Sequence, residues 1–276
     1  MSIDIALLYP ELLGTYGDSG NATILAQRLR WRGYESRVLT FNAAGTVPST
    51  CDIYVIGGGE DLPQGLAASK LADGERPLHR AVDQGATVLA VCAGLQVLGE
   101  SFVGPDGREQ SGLGLLGVRT RRTSAPRAVG EVVAEPEPLF RDQGLRTLTG
   151  FENHGGVTDL CDGTVPLARV RVGTGNLDGT VEGAVKGKVL GTYLHGPVLA
   201  RNPTLADLLL SWVVGELAPF DDSETAALHS ERLRLGPGER RPSEPPAYAK
   251  VATLARHYVS RARALTGARQ RAASER

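Results

Sequence analysis

The sequence predicts an α/β protein: a doubly wound, mostly parallel sheet with helices on both faces, extended by antiparallel strands. Three observations predict it. Continuous apolar runs alternate with helix-period segments through residues 3–102, the order of a parallel sheet wound by crossover helices. Two of those runs end abruptly, one at Gly57-Gly58-Gly59 and one at Cys92, and such sheets place their sites at strand carboxyl ends. From about Val118 the alternation gives way to short β-like pieces joined by loops rich in Gly, Asp and Thr.

In chain order, Ile3 to Tyr9 is an apolar strand, followed by a loop with Gly14, Gly17 and Gly20. Asp18 or Ser19 is placed to cap the next helix, which stops before Gly33. Ser36 to Phe41 and Asp52 to Ile56 read as strands, and Pro77 to Gln84 as a helix stopped by Gly85. Thr87 to Val91 is a buried strand leading through Cys92 into a helix expected over Leu95 to Phe102. Later β pieces are Val129 to Ala134, Thr147 to Glu152, Leu167 to Val172, Thr180 to Val185 and Lys188 to Tyr193. A helix from Pro203 to Leu217 closes a domain spanning 1–220, and 221–276 form a basic helical extension. Residues 231–276 hold eleven Lys or Arg against four Glu, with Val251, Leu254, Tyr258, Ala262 and Leu265 on one helical face. A solvated helix is preferred there over one that docks on a partner.

Net charge of −1 gives no electrostatic reason to bind nucleic acid. The three cysteines, Cys51, Cys92 and Cys161, lack metal-ligand spacing and cannot all pair, which points to a reduced, cytoplasmic chain. No apolar run is long enough to span a membrane, and no signal-peptide pattern opens the chain. No metal or cofactor is expected.

Cys92 has the setting of a nucleophile elbow. A tight turn lifts its sulfur from the sheet, Ala93 and Gly94 leave room, and the following helix start favours a thiolate. A buried structural cysteine is the competing reading. A thiol nucleophile needs a base. His79 lies on the helix before the cysteine strand and His229 and His257 in polar helical surroundings, and all three read as surface residues, whereas His154 and His195 sit at strand ends and spacing does not choose between them. The glycine turn lacks the Gly-Lys-Ser/Thr of a nucleotide loop. Its alternative use is an oxyanion hole, with amides of Gly58 or Gly59 acting beside that of Ala93.

These motifs together carry a resemblance. Val91-Cys92-Ala93-Gly94-Leu95-Gln96, the glycine turn and Gly191-Thr192-Tyr193-Leu194-His195-Gly196 resemble type-1 glutamine amidotransferases of the cobyric-acid-synthase-like branch, which have a flavodoxin-like fold. The stretch Leu8 to Asn21 is similar to the opening of glutaminase subunits of the lipid II isoglutaminyl synthase type. The resemblance covers residues 3 to about 217 and selects His195 as catalytic, giving a Cys92–His195 dyad. Two positions depart from the pattern. Ala90 replaces a glycine two residues before the cysteine, and Pro197 stands where most type-1 enzymes have a glutamate two residues after the histidine. Glu152 and Asp18 are the candidates to orient the imidazole.

The resemblance implies hydrolysis of L-glutamine to glutamate and ammonia. It makes Gln96 a substrate contact and asks for an arginine on the glutamine α-carboxylate, for which Arg127 is placed first and Arg122 second. It also implies a separate Mur-ligase-like, ATP-dependent synthetase in a heterodimer, amidating the α-carboxyl of D-glutamate in the peptidoglycan stem peptide. The alternatives are a glutaminase subunit for corrinoid amidation, a catalytically idle scaffold and, more distantly, a cysteine hydrolase of similar fold.

Overall fold

The structure is a computed structural model and describes residues 2–234 apart from 74–75, 125, 162 and 177–178. Residues Met1–Gly236 form one compact unit. The expected basic helix carrying Val251 to Leu265 lies outside the described residues.

The first half of the unit runs β1 (Ser2–Leu8), α1 (Gly20–Trp31), β2 (Glu35–Phe41), β3 (Ile53–Ile56), α2 (Asp61–Ala72), α3 (Pro77–Asp83), β4 (Thr87–Val91) and α4 (Ala93–Leu98). Next come β5 (Ser101–Val103), β6 (Glu109–Ser111), β7 (Val118–Arg122), β8 (Ala128–Pro136), α5 (Pro138–Arg141), β9 (Leu148–His154) and β10 (Gly156–Leu160). The unit closes with β11 (Ala168–Val172), β12 (Val181–Glu182), β13 (Ala184–Lys186), β14 (Val189–Thr192), α6 (Val198–Arg201), α7 (Pro203–Val214) and α8 (Ser223–Arg234).

A six-stranded sheet in the order β13-β14-β4-β3-β1-β2 forms the centre, parallel throughout except for β13 at its edge. Every residue of β3 and β4 is buried, as strands covered on both faces require. Each fully buried Val, Leu or Ile there contributes about 1.5–3 kcal/mol. Helix α1 packs with α6 and α7, and α2 packs with α4, so helices cover both faces. Register sets the site: Ile56 pairs with Ala90 and Val91 with Thr192, so β3, β4 and β14 end level. Gly57, Cys92 and Tyr193 therefore emerge side by side at the carboxyl edge.

The antiparallel extension of this sheet is β13 alone, and β14, one of the late β pieces, is parallel. The pieces at 129–134, 147–152 and 167–172 enter a separate sheet, β12-β11-β8-β9, the piece at 180–185 divides between β12 and β13, and a third sheet, β10-β7-β5-β6, is made of strands outside the expected pieces. The helix after Cys92 is shorter than expected. It ends at Leu98 because Gly99 turns extended, and Phe102 is instead a buried residue of β5. Neither Asp18 nor Ser19 caps α1 through its side chain. Asp18 is committed elsewhere.

Candidate active site

Cys92 sits between β4 and α4 with φ 52° and ψ −105°, a left-handed region that side chains rarely adopt. Such strain costs about 1–3 kcal/mol and persists only where the surroundings impose it. Here they do. The Cys92 amide donates to Thr192 O at 2.8 Å, and its carbonyl accepts from Gln96 at 3.2 Å. Ala90, the departure from the usual glycine, is fully buried and its methyl is accommodated.

His195 follows β14 and pairs with Phe151 of β9 through amide bonds of 2.9 and 3.2 Å. Its ring is buried, with Nδ1 3.1 Å from Asp18 Oδ2 and Nε2 making no hydrogen bond. Burial works to lower the imidazole pKa, but the Asp18 hydrogen bond and the adjacent Cys92 sulfur overcome it and push it up to about 10. Glu152, the other candidate to orient this ring, is turned away. It accepts from the amides of Thr174 and Gly175 instead.

The loop that delivers Asp18 explains Pro197. Asp18 reaches His195, Asn21 Oδ1 accepts from the Leu199 amide at 3.0 Å, and Gly20 lies against Pro197. A Cβ at position 20 would come within 2.5 Å of the Pro197 ring, so only glycine lets this loop close on the histidine segment. A carboxylate thus reaches the histidine from the N-terminal loop, while Pro197 follows it in sequence. Tyr16, from the same loop, lies on the His195 ring with centroids 4.6 Å apart.

The Gly57-Gly58-Gly59 turn faces this pair. A Cβ on Gly58 would approach His195 Cε1 to 2.8 Å and Cys92 Cβ to 3.3 Å. One expectation needs correction: the Gly58 amide donates to Asp18 Oδ2 at 2.9 Å and is not free for an oxyanion. It orients the carboxylate. Gly59 and Ala93 remain, and both line a cavity of about 370 Å³ that also exposes Cys92.

Gln96, Arg122, Arg127 and His154 line the same cavity. Arg127 donates through Nε to Asn153 Oδ1 and through Nη2 to Asn153 O, and Asn153 in turn donates to the Tyr16 hydroxyl. Arg122 is paired with Asp61 at the rim. Gln96 is held at both ends, donating to the Tyr193 hydroxyl at 3.0 Å and accepting from Gln64 at 2.8 Å. His154 stacks on Tyr193 at 3.7 Å and donates from Nδ1 to Gly156 O. It has no carboxylate behind Nδ1. His229, expected at the surface, is buried on α8 with its ring on Arg201 O.

A strained cysteine at a strand end, a buried imidazole backed by a carboxylate, and the Gly59 amide on the facing turn are the parts that a thiol-dependent amide hydrolase would need, here on a doubly wound α/β fold. Residues 4–203 match the CobB/CobQ-like glutamine amidotransferase domain. The chain is 40% identical over 202 residues to the lipid II isoglutaminyl synthase (glutamine-hydrolyzing) subunit GatD of Staphylococcus aureus, covering 72% of this chain and 79% of that one. It is 35% identical over 211 residues to the Streptococcus pneumoniae GatD subunit, covering 76% and 79%. A probable cobyric acid synthase of Methanoregula boonei matches at 34% identity over 170 residues, 59% of this chain and only 32% of that one. Among solved structures, PurLQS from Thermotoga maritima shares the fold at TM-score 0.51 and 15% identity, covering 78% of this chain and 98% of that one. The chain belongs to the CobB/CobQ-like glutamine amidotransferase family and is a glutamine-hydrolysing enzyme subunit.

Proposed function

We propose that this chain is the glutaminase subunit of a lipid II isoglutaminyl synthase, with Cys92 as nucleophile, His195 as general acid–base and Asp18 as the group that orients it. The observation that carries the pathway is extent. The match spans 79% of two GatD subunits but only 32% of a cobyric acid synthase. That difference favours a free-standing glutaminase serving peptidoglycan over the corrinoid alternative. The Cys92–His195–Asp18 arrangement speaks against an idle scaffold.

Each step has a group placed for it. His195, whose raised pKa keeps it protonated, already holds the Cys92 proton on Nε2, and the thiolate sulfur adds to the side-chain carboxamide carbon of glutamine. The Gly59 and Ala93 amides receive the oxyanion, and His195 returns the proton as the C–N bond breaks and ammonia leaves. His195 then draws a proton from water, which attacks the thioester; glutamate departs and the thiol is restored. Arg127 takes the α-carboxylate, and Gln96 contacts the substrate beside it.

Ammonia then passes to a Mur-ligase-like, ATP-dependent synthetase partner that has activated the α-carboxyl of D-glutamate in the stem peptide. We place this reaction in the cytoplasm. No helix among the described residues is long and apolar enough to cross a membrane. The test is glutamine hydrolysis and lipid II amidation by the co-expressed complex, with wild type and Cys92→Ala. Activity that vanishes in Cys92→Ala supports the reading. Equal ammonia release by both chains would overturn the catalytic assignment, and failure to amidate lipid II would overturn the pathway.

A further inference from the structure

We propose that Glu182 is a positioning residue of the glutaminase reaction, fixing the Thr192–Tyr193 step that leads into His195. The proposal rests on the reading of Cys92 and His195 as the catalytic pair. Glu182 lies on β12 and has no exposed surface. Its main chain is tied to β11, where Ala168 is its partner and its carbonyl accepts from the Leu167 amide at 3.1 Å. Its side chain points at the histidine segment. Oε1 accepts from the Thr192 hydroxyl and from the Tyr193 amide at 2.9 Å, and the Thr192 hydroxyl accepts in turn from the Leu194 amide at 3.1 Å. One carboxylate oxygen therefore fixes three consecutive residues immediately before His195.

Stability does not explain a glutamate here. Its second oxygen, Oε2, is buried without a hydrogen-bond partner, and burying a half-satisfied carboxylate costs more than an apolar side chain would. What the arrangement provides is geometry. Tyr193 is fully buried, and its hydroxyl bonds Thr158 and receives the Gln96 amide, while its ring supports His154. Moving the Tyr193 backbone thus moves Gln96 and His195 together. The charged groups facing the carboxyl are Glu152 of β9 and His195. Burial foremost, with Glu152 adding, pushes its pKa up to about 7, against the two hydrogen bonds and His195.

The test measures kcat and KM for glutamine in the complex, counting active sites by alkylation of Cys92, with Cys92→Ala as the blank. Glu182→Ala is expected to lower kcat per titratable site about 30-fold, as displaced catalytic groups do. Glu182→Gln keeps the Oε1 acceptor and is expected to restore kcat to within about fivefold, while removing the inflection near pH 7 from its pH profile. Thr192→Val removes one donor, is expected to cost about fivefold, and adds nothing to Glu182→Ala. A kcat for Glu182→Ala within about threefold of wild type overturns the proposal, as does equal loss in Glu182→Gln and Glu182→Ala. Should Glu182→Ala not fold, a Thr192→Val kcat indistinguishable from wild type overturns it. Activity surviving in Cys92→Ala would instead defeat the underlying catalytic reading, a separate outcome.

Discussion

Two ionic clamps, one buried and one half-buried, tie the region around α1 to the C-terminal half, and they are built to opposite rules. Asp18 meets His195 across 177 residues, and Arg28 meets Asp207 across 179. Arg28 has every nitrogen paired. Its Nε and Nη2 grip Asp207 at 2.8 and 2.7 Å, its Nη1 and Nη2 grip Asp222 at 3.1 and 2.7 Å, and Arg32 adds a third contact to Asp207. His195 is left unsatisfied at Nε2, the atom the proposed reaction uses. A clamp with every nitrogen paired holds the fold; one that keeps a nitrogen free can move a proton.

The largest expected effect breaks the clamp with the free nitrogen. Asp18 Oδ2 accepts from both the Gly58 amide and His195 Nδ1, and Asp18→Asn can keep both bonds on its one carbonyl oxygen but removes the negative charge behind the imidazole. Without that charge the imidazolium formed with the Cys92 proton is less favoured, and the thiolate with it. We expect kcat to fall on the order of 10³-fold with little change in KM, measured as glutamate release. The same variant alters pH dependence. With its pKa raised to about 10, His195 contributes stability that is full below its unfolded pKa of 6.5 and lost as pH rises through 10. Thermal melts from pH 6 to 10 should decline less steeply for Asp18→Asn. An unchanged slope would show that Asp18 does not hold the proton.

Next comes the fully paired clamp. Arg28→Met leaves Asp207 and Asp222 without their guanidinium and is expected to cost about 3 kcal/mol. That corresponds to a fall in Tm of about 6–12 °C, readable by differential scanning calorimetry. Activity per folded molecule well below the melt should stay within about twofold of wild type. If activity falls while Tm holds, the two clamps do not divide structure from chemistry.

Gly58→Ala tests the spacing around the proposed catalytic pair, with a smaller effect. The new methyl would press on His195 Cε1 and Cys92 Cβ, and the backbone must shift to admit it. We expect a loss of kcat of about 10–100-fold, with cysteine alkylation still detectable. A kcat near wild type would mean the turn lies farther from the pair than the geometry gives.

How much of this was legible follows the range of the interactions. The central strands announce themselves because parallel strands covered on both faces need unbroken apolar runs, and Val88–Val91 and Ile53–Ile56 supply them. The cysteine turn is legible for the same local reason. Helix α2 is not, since Pro63 and Gly65 interrupt its pattern and its contacts with α4 make up the difference. Asp18 precedes a helix start and so reads as a cap, while its real partners, Gly58 and His195, lie 40 and 177 residues away. The choice between His154 and His195 was likewise invisible to spacing. It turns on which ring has a carboxylate behind Nδ1, and only the family resemblance had selected His195.

The smallest expected effect concerns substrate rather than chemistry, and it sharpens the contrast between groups that hold and groups that react. Arg127 already spends donors on Asn153 and lies beside the Tyr16 hydroxyl, which fixes its guanidinium at the cavity wall. A lysine cannot keep both bonds to Asn153 and present a fork to a carboxylate. Arg127→Lys should therefore raise KM for glutamine about tenfold and leave kcat within about threefold, the pattern of lost ground-state binding. Arg122→Lys, whose partner is Asp61 at the rim, is the control and should shift KM less than about twofold. If the two arginines exchange these outcomes, the α-carboxylate lies at the Arg122 side and glutamine enters the cavity turned around. If Arg127→Lys lowers kcat instead, the chain Arg127–Asn153–Tyr16 acts on the His195 ring and Arg127 belongs with the clamp.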